Sequence, residues 1–198
     1  MVRERYKELR EAKLDRCASY YQVETQRALR VDLDSPAIEV MTDLKRVQAV
    51  TIGPDASIDA ANMAMLRNNV RALLVADENR CILGIITSTD SLGEKPMQAV
   101  RERGVRHDEI TVRDIMTPRD RLEVIGLPDV LAAEVGHIMA TLRRSGRQHA
   151  LVADDDASGR QMIRGIFSAS QIARQLGSAL PPTEIARTFA EIKTAIAH

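Results

Sequence analysis

The stretch Gly84-Ile85-Ile86-Thr87-Ser88-Thr89-Asp90 reads as a strand running into a helix whose first turn carries a hydroxyl and a carboxylate. A helix N-terminus presents unpaired backbone N–H groups and the positive end of a dipole, so it attracts a phosphate. Thr87 can add a hydroxyl to the same anion. Asp90 offers two acceptor oxygens to the hydroxyls of a ribose. Phosphate and ribose contacts one helical turn apart are the geometry a nucleotide needs. The same Thr-x-x-Asp spacing is also a capping box, which closes a helix N-terminus without any ligand. Ser168-Ala169-Ser170-Gln171 allows the same two readings.

Those two segments belong to a duplication. Met41-Thr42 recurs as Met116-Thr117, Leu74-Val75-Ala76-Asp77 as Leu151-Val152-Ala153-Asp154, and Gly84-Ile85-Ile86-Thr87 as Gly165-Ile166-Phe167-Ser168. The offsets are 75, 77 and 81, so the landmarks keep their order and the second copy has the longer hairpin. In the first copy, 47–52 reads as a strand and Gly53-Pro54-Asp55 as a turn. Ser57 then caps a helix whose Ile58, Ala61, Met65 and Leu66 share a face. Strands over 72–76 and 82–86 and a helix from Ser88 complete the unit. The second copy predicts strands over 122–125, 149–153 and 163–167, with helices over 130–144 and from Ala169. The fold class is α/β (α+β): two tandem β-α-β-β-α repeats packed through their sheets, since a unit of roughly 60 residues buries too little apolar surface alone. The expected divisions are a charged arm over 1–35, repeat one over 36–104, repeat two over 105–177 and a C-terminal helix over 178–198.

Composition narrows the function classes. A chain of 198 residues has no room for a large catalytic domain beside a regulatory one. Lys+Arg 28 against Asp+Glu 28 leaves no global field to recruit nucleic acid or an anionic membrane. No Trp, two Phe and three Tyr leave few platforms on which bases could stack, so nucleic acid is an unexpected partner. Cys17 and Cys81 form no metal or redox motif, and His107, His137, His149 and His198 lack ligand spacing, so no metal or redox cofactor is expected. Asp154-Asp155-Asp156 resembles a calcium loop in composition only. No apolar run approaches the ~20 residues that span a bilayer, and the expected location is the cytoplasm. The cluster Arg143-Arg144-Ser145-Gly146-Arg147 either grips phosphate or completes a helix end. Ile185, Phe189, Ile192 and Ile196 form a stripe that needs a cover, expected from the chain's own module or a second copy.

The duplicated unit, the starts Val40-Met41-Thr42 and Ile115-Met116-Thr117, the Leu-Val-x-Asp strands and the Gly-Ile-Ile-Thr-x-x-Asp ending resemble the CBS-domain family over residues 38–176. The resemblance implies a Bateman module, often a homodimer, that binds AMP, ADP, ATP or S-adenosylmethionine between repeats and senses rather than catalyses. A stand-alone energy sensor acting on an unidentified regulated protein follows from it, with an S-adenosylmethionine or NAD sensor and a ligand-free scaffold as alternatives. By position it makes Asp90 the ribose acceptor, Thr87 a hydroxyl contact, Ile85 an apolar wall and Arg71 a phosphate contact. Thr117 should face the Asp90 site, with Arg147 and Gln148 lining it. Gln171 stands where the second copy would need the Asp, so one good site and one degenerate site are expected.

Overall fold

The computed structural model describes residues 31–104 and 106–177, so most of the charged arm and the C-terminal stripe lie outside the described residues. Chain order begins with β1 (Thr42–Asp43), β2 (Thr51–Ile52), α1 (Ile58–Arg67), β3 (Ala72–Ala76), β4 (Ile82–Thr87), α2 (Ser88–Leu92), α3 (Lys95–Arg103) and α4 (Val112–Ile115). It continues with β5 (Thr117–Pro118), β6 (Val124–Gly126), α5 (Leu127–Leu131), α6 (Val135–Ser145), β7 (His149–Asp155), β8 (Gln161–Ser168) and α7 (Ala169–Gln175). Two four-stranded sheets form, ordered β2-β3-β4-β5 and β6-β7-β8-β1. The duplication is therefore visible as two copies of one sheet.

Each sheet takes its last strand from the other repeat. β5 leads into repeat two yet pairs with β4, and β1 leads into repeat one yet pairs with β8. The helices repeat this exchange. Val112 N–H bonds Ala56 O at 2.8 Å and Arg113 N–H bonds Pro54 O at 2.9 Å, which docks the lead-in of repeat two on the start of α1. Gly136 N–H bonds Leu33 O at 2.8 Å and Val135 N–H bonds Ser35 O at 2.9 Å, which docks the lead-in of repeat one on α6. Neither repeat can satisfy its own sheet edge or helix start, so the two fold as one body.

Three apolar layers follow. Ile58, Ala61 and Met65 of α1 pack on Leu73, Val75 and Ile86 of one sheet. Ile138, Met139 and Leu142 of α6 pack on Val152 and Phe167 of the other. Leu74, Ile85 and Leu151 meet between the sheets. Alternation along β3 and β4 sends Leu73 and Ile86 to the helices and Leu74 and Ile85 to the opposite repeat.

Several expectations need correction. Leu66 is 75% exposed, because it lies about 100° around α1 from the stripe made by Ile58, Ala61 and Met65. The strand expected over 47–52 shortens to Thr51–Ile52, since Asp43 O accepts the N–H groups of Arg46 and Val47 and turns that segment away. The single helix expected over 130–144 is two, because the chain breaks between α5 and α6 where Ala133 O accepts the Ala37 N–H.

Ser57 does cap α1, its side chain accepting the Ala60 N–H at 3.1 Å. Ser57→Ala should cost about 1 kcal/mol, or about 3 °C in melting temperature. Differential scanning calorimetry measures it, and an unshifted midpoint would show that the docked segment alone holds this helix start.

Candidate functional site

The first corner lies where β4 runs into α2. Ala72 of β3 pairs with Thr87, and Ile85 pairs with Thr117 of β5. Thr87, Thr117 and the inward-facing Ile85 are thus brought together by backbone register. Thr87 is the N-cap of α2: its N–H and its hydroxyl both donate to Asp90 Oδ2, at 2.8 and 2.7 Å, and Asp90 N–H donates to Thr87 Oγ1 at 3.3 Å. The capping box is formed. Ser88 N–H is taken by Arg71 O at 2.9 Å, which sets Arg71 at the same corner.

This changes the electrostatics expected from the sequence. α2 has five residues, too few for a substantial dipole, and the N–H groups of Ser88 and Asp90 are taken by Arg71 O and Thr87 Oγ1. Side chains must therefore supply most of the hold on any anion at this corner. Asp90 keeps one oxygen outside the box, and Lys95 occupies it: Nζ lies 2.6 Å from Oδ1 and donates to Ile115 O at 3.2 Å. The Asp90 side chain is only 12% exposed, whereas that of Lys95 is 45% exposed. Lys95 was not singled out from the sequence. It meets Asp90 because Gly93 separates α2 from α3, and a Cβ there would run into Thr89 O. Ser91, the one buried polar residue among those described, donates to Asn62 Oδ1 of α1 at 2.5 Å and seats α2 on the helical layer.

Arg147 and Gln148 make their hydrogen bonds to other segments. Arg147 donates to Arg121 O at 2.7 Å and lies 3.7 Å from Glu123, bracing the entry to β6. Gln148 O accepts the Ala169 N–H at 2.9 Å, the counterpart of Arg71 and Ser88, so it belongs to the second corner. His149 is the residue of that strand felt at the first corner. Burial lowers its pKa to about 4, the Asp90 carboxylate opposes that shift and the Arg71 guanidinium adds to it. Its Nδ1 is buried without a hydrogen-bond partner. A lone histidine without ligand spacing gave no sequence signal for this.

The second corner is built differently. Ser168 makes no capping bond to α7 and instead lies 3.1 Å from Ser170 Oγ. Gln171 Oε1 accepts from Thr42 Oγ1 of β1 at 3.2 Å. Of the two readings the spacing allowed, the Ser-x-x-Gln box is not formed, and Gln171 takes a donor from β1 of the other repeat instead. The Arg164 guanidinium binds Asp43, both nearly buried, and ties β1 to β8.

Among the described residues, no helix is long and apolar enough to cross a membrane, and no group of three His, Cys, Asp or Glu could hold a metal ion.

Residues 31–90 match the family model of the CBS domain. The fold is shared with an uncharacterized conserved protein from Pyrococcus horikoshii, at 22% identity over 77% of this chain and 100% of that one, with a TM-score of 0.53. It is also shared with a CBS-domain containing protein from Agrobacterium tumefaciens, at 21% identity over 80% of this chain and 98% of that one, TM-score 0.52. A further solved CBS domain aligns at 24% identity over 70% of this chain and 99% of that one, TM-score 0.50. Identities this low make these likenesses of fold. No curated protein matches the chain in sequence.

Proposed function

From a chain with a CBS domain at residues 31–90 and the two-sheet fold of a CBS pair, we propose a regulatory module that binds an adenosine-containing nucleotide, AMP, ADP or ATP, at the Asp90 corner and performs no catalysis itself. Asp90 accepts from the ribose hydroxyls, Thr87 and Thr117 border the sugar, Ile85 forms an apolar wall and Arg71 meets the phosphate. The observation that carries the reading is the contrast between corners. A carboxylate with one oxygen outside its helix cap stands at one, and a neutral amide bonded to Thr42 stands at the other. One occupied site per chain follows. A homodimer and an unidentified regulated protein complete the proposal, as does an intracellular setting in which nucleotide levels are read.

A second reading is favoured by one observation: both Asp90 oxygens already have protein partners, Thr87 and Lys95. A ligand-free scaffold needs nothing more.

Thermal unfolding with AMP, ADP, ATP, S-adenosylmethionine and NAD, on wild type and Asp90→Asn, separates the two. A ligand at about 100 times its dissociation constant stabilises by roughly 2.7 kcal/mol, on the order of 5 to 10 °C here. In Asp90→Asn the charge-assisted hydrogen bonds from the ribose hydroxyls to Oδ1, the oxygen outside the cap, become neutral ones, which weakens binding by about 2 kcal/mol, roughly thirtyfold. A shift in wild type that largely disappears in the variant supports the sensor, and no shift with any compound at millimolar concentration supports the scaffold.

A further inference from the structure

We infer that Lys95 is an intramolecular competitor for the ligand: its ammonium occupies the Asp90 oxygen that an incoming hydroxyl must reach, and so sets the site's affinity. The inference rests on the reading of Asp90 as the hydroxyl acceptor. Oδ2 is held inside the helix cap by two donors from Thr87, at 2.8 and 2.7 Å. Oδ1 is the oxygen left outside the cap, and Lys95 Nζ sits on it at 2.6 Å. A hydroxyl donating to Oδ1 has to share that oxygen with the ammonium, so binding weakens or draws off the Lys95 contact.

The surroundings make that displacement feasible. Lys95 stands at the first turn of α3, on a four-carbon stem with the side chain 45% exposed, so its charge can move into water without being stranded. Its second bond, to Ile115 O, comes from the end of α4 immediately before β5, and Thr117 of β5 borders the same corner. One ammonium thus clasps both the carboxylate and the crossing segment that leads into β5. The bond depends on the break at Gly93 that turns the start of α3 back toward Asp90.

The two roles open to a lysine here, competitor or phosphate contact, move binding in opposite directions. Adenosine, which carries no phosphate, isolates the first. Isothermal titration of adenosine and AMP into wild type, Lys95→Met, Lys95→Gln and Asp90→Asn is the experiment. An ion pair with one partner in solvent contributes about 1 kcal/mol, so both Lys95 variants should bind adenosine about fivefold more tightly than wild type. The advantage should shrink toward unity in about 1 M salt, which screens the pair in the wild type. Unchanged or weaker adenosine binding in both variants overturns the inference, and weaker AMP binding with unchanged adenosine binding would make Lys95 a phosphate contact instead. Asp90→Asn keeps the two levels apart. If it loses adenosine while the Lys95 variants gain nothing, the site stands and the competitor fails. If it binds adenosine as wild type does, or no variant binds either probe, the site reading itself fails and the competitor with it.

Discussion

Gly84→Ala is expected to destabilise the protein by about 3 kcal/mol, the upper part of the range for forcing an extra carbon into a packed interior. Gly84 lies on β4 opposite Pro118, where the strand exchanged from repeat two crosses. A Cβ there would stand 2.5 Å from Thr117 O, 3.0 Å from Met116 Sδ and 3.3 Å from Pro118 Cα. Two of those three atoms are backbone and cannot rotate aside. β5 has only two residues, so pushing it off removes the pair between Ile85 and Thr117 and opens the edge of the sheet. Gly165 is the counterpart in the second repeat and supplies the control. A Cβ on Gly165 would meet only the side chain of Met41, whose unbranched thioether can repack, so Gly165→Ala should cost about 1 kcal/mol. Urea unfolding of both variants measures the difference. Equal midpoints for Gly84→Ala and wild type would mean that the crossing strand adjusts freely and contributes little to the fold. Because Thr117 borders the Asp90 corner, the Gly84 variant should also show a smaller nucleotide-induced shift than the Gly165 variant.

The contrast between these glycines also shows how much could be read from the sequence. The landmarks around Leu74 and Leu151, and around Gly84 and Gly165, located β3, β4, β7 and β8, because buried strands need continuous apolar runs and the duplication supplied each one twice. Thr87 and Asp90 could be placed at a helix start because capping chemistry is local, three residues long. The exchange of β1 and β5 could not be read, since two-residue strands carry no periodicity and their partners lie 124 and 32 residues away, Thr42 against Ile166 and Thr117 against Ile85. Nor could the occupant of Gln171: in local terms Ser168 was its natural partner, but Thr42, 129 residues distant, reaches it instead. Lys95 escaped notice for a related reason. Five residues after Asp90 it would face away on a continuous helix, and only the interruption at Gly93 brings the two together. Local chemistry was legible, and contacts that depend on where the chain returns were not.

His149 gives the protein an acid sensitivity between about pH 6.5 and pH 4. Its pKa is lowered from 6.5 to about 4, first by burial and also by the Arg71 guanidinium, with Asp90 pulling the other way. The native state therefore holds the imidazole neutral. As pH falls through 6.5 the unfolded chain takes up a proton that the native state refuses until pH nears 4, so stability declines across that interval and is restored as pH rises above it. Integrated down to pH 4, the difference amounts to about 3 kcal/mol. Asp43, whose carboxyl is held below 3.8 chiefly by its bond to Arg164, loses its contribution at more acid pH, as do Asp114 and Asp156, both also held below 3.8. The buried Nδ1, without a partner, explains why the native structure gives the proton no welcome. Chemical unfolding of wild type and His149→Gln at pH 7.5 and pH 4 tests this. Wild type should lose about 3 kcal/mol more than the variant between those values, and parallel losses would show that His149 titrates alike in both states. Ala72 holds the matching position in the first repeat, paired with Thr87 as His149 is with Ser168. The imidazole is thus one of the features by which the second copy has departed from the first, and it stands where the Asp90 and Arg71 charges reach it.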